Sequence, residues 1–215
     1  MGENNPPIIK GVTAEEYPEF YEILEKLMNI CKIKKIRIFI RPKLNNACIL
    51  GKYIIIGKPI LEKFTRDELE AIMAHEFSHN HLRHSLSSVF LGLIFLIPLI
   101  YSYLMYNPGD SFSALLFLVG IVIWICGIRI NNWITLHQEI SADILSIHYT
   151  QNPKALQKAL IKLEINSLAE NSSFLQTLKG GIRWVIFYLF GFTHPSVTER
   201  LQYLETVRIV EYPEN

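Results

Sequence analysis

The residues best suited to chemistry form one short run, His75-Glu76-Phe77-Ser78-His79. On a helix, two histidines four residues apart leave the same face and can meet one ion. Neutral imidazole suits zinc, and the pair supplies two of the three protein ligands of a catalytic site. Glu76 stands where a carboxylate can take a proton from a metal-activated water, and the hydroxide can then attack a polarised peptide carbonyl. The run therefore predicts a zinc hydrolase centre with Glu76 as general base.

A catalytic zinc site also needs a third protein ligand and an open fourth position. Glu139 and Asp143 are four residues apart, so they share one helical face. One carboxylate could bind the ion while the other orients a ligand histidine through its free N–H. From spacing alone, a plain solvated acidic face explains the pair as well. The candidates for the third ligand are His137, Glu139, Asp143, His148 and His194.

Two capping boxes predict the helices that hold the first half of the site. Thr13 and Glu16 open an amphipathic helix to Ile30, and Thr65 and Glu68 open the helix that carries the histidines. Three short β-branched segments lie between them, two of them joined by a tight Gly51-Lys52 turn. These segments predict a small sheet with strands at 36–40, 47–50 and 53–56. Further along the chain, the sequence predicts helices at about 133–149, at about 152–168 and after Ser196.

The composition then changes to two long apolar segments, 86–106 and 112–130. At 1.5 Å per residue each spans roughly 30 Å, the thickness of a hydrocarbon core. Only a short polar turn, 107–111, separates them, so they predict a transmembrane hairpin; the alternative is a pair of buried core helices. Arg83 and Arg129 flank the hairpin and the turn has no Lys or Arg, which places both flanks in the cytoplasm.

The remaining composition excludes other classes of protein. The net charge of +1 gives no basic field for nucleic acid. Three widely spaced cysteines argue against a disulfide framework and fit a reducing compartment. The polar N-terminus predicts no signal peptide and a cytoplasmic start. The apolar run 184–192 is too short to span, and it is either a core element or a segment at the membrane interface.

The order of these features resembles the HtpX-type and CAAX-prenyl-protease-type membrane gluzincins. The resemblance covers about residues 40 to 206. It rests on the His75–His79 motif, the hairpin and Glu139-x-x-x-Asp143. It also extends upstream to Asn46-Ala47-Cys48 and downstream to Thr193-His194-Pro195 and Arg200.

This resemblance implies roles that the spacing leaves open. Glu139 becomes the third ligand of one zinc ion per chain, and Asp143 becomes the partner of a zinc histidine. His194 and Arg200 become catalytic candidates on the substrate or oxyanion side. Members of the family also tend to pair a peptide with an edge strand, here 47–50. HtpX-type proteins usually carry membrane helices before the catalytic helix, whereas here nothing before Leu86 could span.

The expected fold is mainly α with a small sheet (α+β), a gluzincin-like catalytic domain with a transmembrane hairpin inserted between its ligand helices. We expect 1–85 and 131–215 to form the catalytic domain around the hairpin at 86–130. The expected activity is that of a metalloendopeptidase in the plasma or inner membrane, multi-pass, with its site on the cytoplasmic side. Its partners would be a membrane-associated peptide or protein substrate and the lipid bilayer, and its role would be membrane-protein quality control. The alternative is a membrane-anchored adaptor with an inactive or structural metal site.

Overall fold

The structure, a computed structural model, describes residues 8–177 and 196–206. The chain divides into two compact units. The sheet unit takes in Met1–Leu82, Ile140–Phe174 and Ser196–Asn215. The hairpin unit takes in Arg83–Glu139 and Leu175–Pro195, of which the second part lies almost wholly outside the described residues. The chain therefore leaves the sheet unit after the histidine helix and re-enters it within a later helix.

The sheet unit contains four strands in the order β1-β2-β4-β3. β1 pairs with β2 in parallel, β2 pairs with β4 in parallel, and β3 forms an antiparallel hairpin with β4. The predicted turn is confirmed: Gly51 has a φ of +58°, a conformation that favours glycine. The short first strand was not predicted. The strands are β1 Ile8–Lys10, β2 Lys35–Arg41, β3 Ala47–Leu50 and β4 Tyr53–Gly57.

The first helix, α1 (Pro18–Ile30), begins later than its capping box predicts. The box contacts exist, since the Glu16 backbone N–H donates to Thr13 Oγ1 over 3.3 Å, but they close a turn and not a helix. The cause is Pro18, because a proline disfavours helical backbone in the residue before it. Tyr17 accordingly has φ −140° and ψ 69°.

One face of the sheet packs on helices and forms the main core. Because side chains alternate along a strand, Ile36 and Ile38 of β2 and Ile54 and Ile56 of β4 share this face and are buried. They pack with the apolar face of α1 and with α3 (Arg66–His81). A short helix that the sequence did not predict, α2 (Lys58–Lys63), follows β4 directly. The sheet and α3 therefore pack together around one hydrophobic core, and α3 carries the histidines.

The hairpin unit contains α4 (His84–Leu104) and the first part of α5 (Ser111–Thr150). Both helices are long and apolar enough to cross a membrane, and few of their residues are buried. They approach closely at Gly120, where an added Cβ would lie 2.1 Å from Ser102 Oγ. The side chain of Asp110 accepts from the Ser113 N–H over 2.9 Å and so begins α5.

The expected break between the second apolar segment and the next helix is absent. α5 runs for 40 residues without interruption, from the polar turn through Glu139 to Thr150. Asn131 and Asn132 make the sequence look like a junction, but no proline follows until Pro153 and helical backbone continues through them. The apolar segment and the helix carrying Glu139 and Asp143 are one element.

Two helices complete the sheet unit. α6 (Pro153–Thr177) begins as predicted at Asn152, whose side chain accepts from the Ala155 N–H over 3.1 Å. α7 (Val197–Thr206) begins at the predicted box, with Ser196 Oγ accepting from the Glu199 N–H over 3.2 Å. His194 and the apolar run 184–192 lie outside the described residues. The mainly α fold with a small sheet is thus confirmed.

Candidate metal centre

The helix α3 holds His75 and His79 rigidly because both of its ends are fixed. At its start, Thr65 Oγ1 accepts from the Glu68 N–H and the Glu68 carboxylate accepts from the Thr65 N–H, which is the predicted capping box. Near its end, the Asn80 side chain donates to the Gly51 carbonyl in the β3–β4 turn over 3.0 Å. The histidines therefore lie on a helix that is capped at its start and hydrogen-bonded to the sheet near its end.

The two histidine rings point their Nε2 atoms at each other over 3.0 Å. The ligand atoms of His75, His79 and Glu139 all lie within 4.8 Å of one another. His75 and Glu139 are buried, with 9% and 3% of their surface exposed. Glu139 is the residue of α5 at which the two units divide, one turn before Asp143 of the sheet unit. A carboxylate oxygen and two imidazole nitrogens are thus gathered within the reach of one ion.

Asp143 is a fully buried carboxylate that accepts from every side. Its Oδ1 lies 2.8 Å from His75 Nδ1. Arg200 of α7 forks onto both oxygens, with Nε 2.8 Å from Oδ2 and Nη2 2.5 Å from Oδ1. Tyr203, one turn further along α7, donates its hydroxyl to Oδ2. A carboxylate has about four lone-pair sites, so these donors saturate it. The three elements α3, α5 and α7 meet at this one side chain.

The donors keep Asp143 ionised inside the protein. Burial alone would raise the pKa of this carboxyl, but the contacts with His75 and with the Arg200 guanidinium outweigh burial and lower the pKa to about 2. Burial and the neighbouring carboxylate raise the pKa of Tyr203, so its hydroxyl stays protonated and able to donate. Since Asp143 is an acceptor only, His75 must carry its proton on Nδ1, and the lone pair is left on Nε2.

Glu76 is half-buried and lies near the edge of the sheet. Partial burial and then the negative charge of Glu76 raise the pKa of the Cys48 thiol, which places the carboxylate close to β3. β3 pairs with β4 on one side and is the last strand of the described sheet. The general base that the sequence predicts therefore stands beside the last strand of the described sheet, to which an extended peptide could pair.

The start of α4 and the helix α5 are joined just before Glu139. Gln138 donates from Nε2 to Ser87 Oγ over 2.8 Å, and Ser88 donates to Gln138 Oε1 over 3.3 Å. All three residues belong to the hairpin unit. These bonds fix the α5 turn that carries Glu139 to the segment that directly follows α3 in the chain.

Comparison of the sequence with known protein families assigns this chain to one of them. The family model described as peptidase family M48 matches residues 18–208. The chain belongs to peptidase family M48. It is therefore a metalloendopeptidase related to the HtpX-type proteins, as the sequence motifs imply, and its substrates are peptides or proteins.

Curated relatives agree with this placement over most of their length. A protease HtpX homolog of Moorella thermoacetica is 26% identical, covering 91% of this chain and 74% of the relative. Protease HtpX homolog 2 of Methanosarcina acetivorans is 28% identical, covering 92% of this chain and 75% of the relative. A Pyrococcus furiosus protease HtpX homolog is 27% identical, covering 91% and 75%. Membrane association of the M48 chain fits its two long apolar helices.

The site residues differ in how directly the sequence pointed to them. Spacing picked out the His75 pair and the Glu139–Asp143 face, and the structure brings these together. It places Arg200 against Asp143, with 7% of the residue exposed. Tyr203 was not identified from the sequence, because its position three residues after Arg200 on α7 carries no motif. His137 packs against Trp133 of its own helix, with ring centroids 4.2 Å apart and the ring planes tilted by 48°.

The donor set has the chemistry and spacing of a zinc-type site. Two imidazole nitrogens bound tetrahedrally to zinc at about 2.0–2.1 Å would lie roughly 3.3 Å apart, close to the 3.0 Å between the two Nε2 atoms. A buried carboxylate completes a His-His-Glu set, a combination used by catalytic zinc sites. Metal-binding histidines almost always have an outer hydrogen-bond partner, and for His75 this partner is the Asp143 carboxylate.

Proposed function

We propose that this M48 peptidase is a zinc-dependent, membrane-bound endopeptidase whose ion is held by His75, His79 and Glu139. The observation that carries the proposal is the convergence of these three ligand atoms within 4.8 Å beside a half-buried glutamate. A zinc ion bound there would supply Lewis-acid chemistry, lowering the pKa of a water molecule and polarising the scissile carbonyl.

Glu76 is the general base of this proposal. Its carboxylate would accept the proton of the attacking water and later return it to the leaving amine. Positioned proton transfer of this kind contributes about 10²- to 10⁴-fold to a rate. Because Glu76 neighbours His75 on α3, the fixed helix also fixes the base.

Asp143, Arg200 and Tyr203 act by positioning. Asp143 holds the Nδ1 proton of His75, which keeps Nε2 available as a ligand. Arg200 and Tyr203 hold Asp143 ionised and prevent its carboxylate from rotating. This contact favours a positioning role for Arg200 over the oxyanion role that the resemblance implies. His194 remains a candidate for the substrate side.

The substrate would be an extended protein segment that adds to β3. This edge strand lies beside α3, and its Cys48 is close enough to Glu76 for the carboxylate to raise the thiol pKa. Strand addition recognises the backbone and is tolerant of side chains. Such tolerance suits quality control of damaged or misassembled membrane proteins. We place the site on the cytoplasmic side because Arg83 and Arg129 flank the two spans, whereas the turn between the spans contains no Lys or Arg.

The decisive experiment compares cleavage of an unfolded protein in detergent by the natural protein, Glu76→Gln and Glu70→Gln. Glu70 is a matched control on the same helix, where it pairs with Lys26 at 2.5 Å. We expect Glu76→Gln to lose about 10²-fold or more in rate while still binding zinc, and Glu70→Gln to keep its rate. A chelator should stop cleavage by the natural protein, and equal cleavage by Glu76→Gln would sink the mechanism.

Ligand assignment and topology have separate tests. Zinc content measured by mass spectrometry should fall below one ion per chain in Glu139→Ala, and undiminished content would remove Glu139 from the ligand set. A protease added on the cytoplasmic side should fail to cut the turn at 107–111. Cleavage there would overturn the orientation and leave the chemistry intact.

A further inference from the structure

The charges of this chain are strongly segregated along the sequence. Residues 26–61 carry nine Lys and Arg and no Asp or Glu, whereas the rest of the chain carries 12 basic and 20 acidic residues. The chain as a whole has a net charge of +1, but this segment alone has a formal charge of +9. Three of the nine, Lys35, Arg37 and Arg41, lie in β2 of the sheet, and the other six lie in α1, α2 and the connecting turns.

The sheet presents this charge on the face that does not pack on the helices. Lys35, Arg37 and Arg41 of β2 alternate with the buried isoleucines and are exposed. The register adds Lys10 of β1 directly beside Arg37. In the described residues no carboxylate pairs with these four cations. We call the outward side chains of the four strands the basic face.

Large apolar groups are interleaved with the cations. Phe39, Leu50 and Tyr53 lie on this face and are 40%, 62% and 44% exposed. Tyr53 lies between Arg37 and Leu50 in the register, and its ring centroid is 6.3 Å from that of Phe39. A soluble surface rarely gathers aromatic and aliphatic side chains among unpaired cations without a partner. The sheet face is therefore amphipathic, with no negative group among its outward residues.

We propose that the basic face docks on the surface of a bilayer that contains anionic lipids. Lys and Arg attract anionic headgroups, while Phe, Tyr and Leu enter the boundary between headgroups and acyl chains. Each such cation strengthens binding to an anionic membrane by about fivefold. The chain supplies proximity, because the sheet unit is covalently joined to the hairpin unit at Leu82 and within α5. A bilayer that receives the two apolar helices also holds this face at high effective concentration.

A fluorescent probe on the face tests the proposal in the full chain. Cys31, Cys48 and Cys126 are replaced by serine, and Leu50→Cys is labelled with a polarity-sensitive dye. The protein is reconstituted in vesicles of neutral lipid, or of neutral lipid with three parts in ten phosphatidylglycerol, each with headgroup-region nitroxide lipids. We expect at least about threefold stronger quenching and a blue-shifted emission in the anionic vesicles, and relief of both by 0.5 M salt.

Two charge-reversal variants separate the face from net charge. Arg37→Glu/Arg41→Glu should abolish the lipid-dependent quenching, whereas Lys154→Glu/Lys158→Glu, an equal charge change on exposed α6 positions, should preserve it. Circular dichroism checks that both variants fold. Equal quenching in the two lipid mixtures, or equal loss in the two variants, would overturn the proposal. The readout needs no proteolysis, so it is independent of the proposed function.

Discussion

Two buried carboxylates in the sheet unit hold helices together, one at Asp143 and one at Glu68. Asp143 of α5 receives donors from α3 and α7, while Glu68 of α3 caps its own helix and pairs with Lys162 of α6 at 2.5 Å. Both carboxyls have lowered pKa values despite burial. The difference lies in one partner: Asp143 touches a metal-site histidine and Glu68 does not. The same device should therefore control metal affinity in one place and only folding stability in the other.

Replacing Asp143 should have the largest effect and should separate the two carboxylates most clearly. In Asp143→Asn the Nδ1 proton of His75 loses its anionic acceptor, and buried Arg200 loses the carboxylate to which it donates two hydrogen bonds. We expect zinc affinity to fall by about 10- to 100-fold. Competition with a chromogenic chelator measures this change. In Glu68→Gln the affinity should stay within about twofold of the natural protein, and a similar loss there would remove the distinction.

Arg200 tests whether the clamp acts through the metal or on the substrate. Arg200→Lys keeps the charge but cannot bind both oxygens of Asp143 through a planar fork. We expect zinc affinity to fall roughly tenfold, with kcat largely restored by saturating zinc. An oxyanion role would instead leave zinc affinity unchanged and lower kcat by about 10²-fold or more. Chelator competition and steady-state kinetics on the same sample distinguish the two.

Tyr203 should show a smaller effect of the same kind. Tyr203→Phe removes only the hydroxyl that donates to Asp143 Oδ2, a loss of about 0.5–1.5 kcal/mol, or roughly two- to tenfold in zinc affinity. Tyr149→Phe is a matched control in the same unit, because burial and the neighbouring Cys31 thiol raise the pKa of Tyr149 and no contact with Asp143 is involved. Equal zinc affinities in both variants would show that the Tyr203 hydroxyl is dispensable for metal binding.

The comparison also shows which features the sequence could predict. Capping boxes at Thr65 and Ser196 and the Gly51 turn were readable because every group involved lies within four residues. The Thr13 box failed because the next proline decides the helix start. Isoleucine-rich, β-branched runs marked β2 and β4, but three-residue β1 has too short a pattern to detect.

The site divides along the same line. The spacing of His75 and His79 predicts a shared face because both lie on one helix. Asp143 accepts hydrogen bonds from two residues of α7, which lie 57 and 60 residues further along the chain. These contacts depend on how α5 and α7 pack, which no local pattern predicts. The continuity of α5 likewise depends on Asn131 and Asn132 accepting helical backbone, which their low helix propensity argued against. Local chemistry was predictable, and the tertiary clamp was not.

Glu68 should give the smallest effect, and one that depends on pH. Burial raises the pKa of this carboxyl, but Lys162 and the Thr65 cap lower the pKa by more than burial raises it, so the net shift is downward. A lowered pKa in the folded state means that the carboxylate stabilises the fold above its ordinary pKa, about 4.3, and that this stability is lost as the pH falls through the folded value. Lys162 is 41% exposed, so water screens the pair, and Glu68→Gln should cost only about 1 kcal/mol at pH 7.

Thermal unfolding of the full chain in detergent measures this cost. We expect the midpoint of Glu68→Gln to lie about 2–4 °C below that of the natural protein at pH 7, with the gap closing as the pH falls through the lowered pKa of Glu68. Glu70→Gln, which removes the more exposed pair with Lys26 on the same helix, should shift the midpoint less. A gap that persists at acid pH, where the Glu68 carboxyl is protonated, would mean that Glu68 stabilises α3 through packing and not through its charge. Unchanged zinc affinity across the series would then leave Asp143 as the carboxylate that couples folding to the metal.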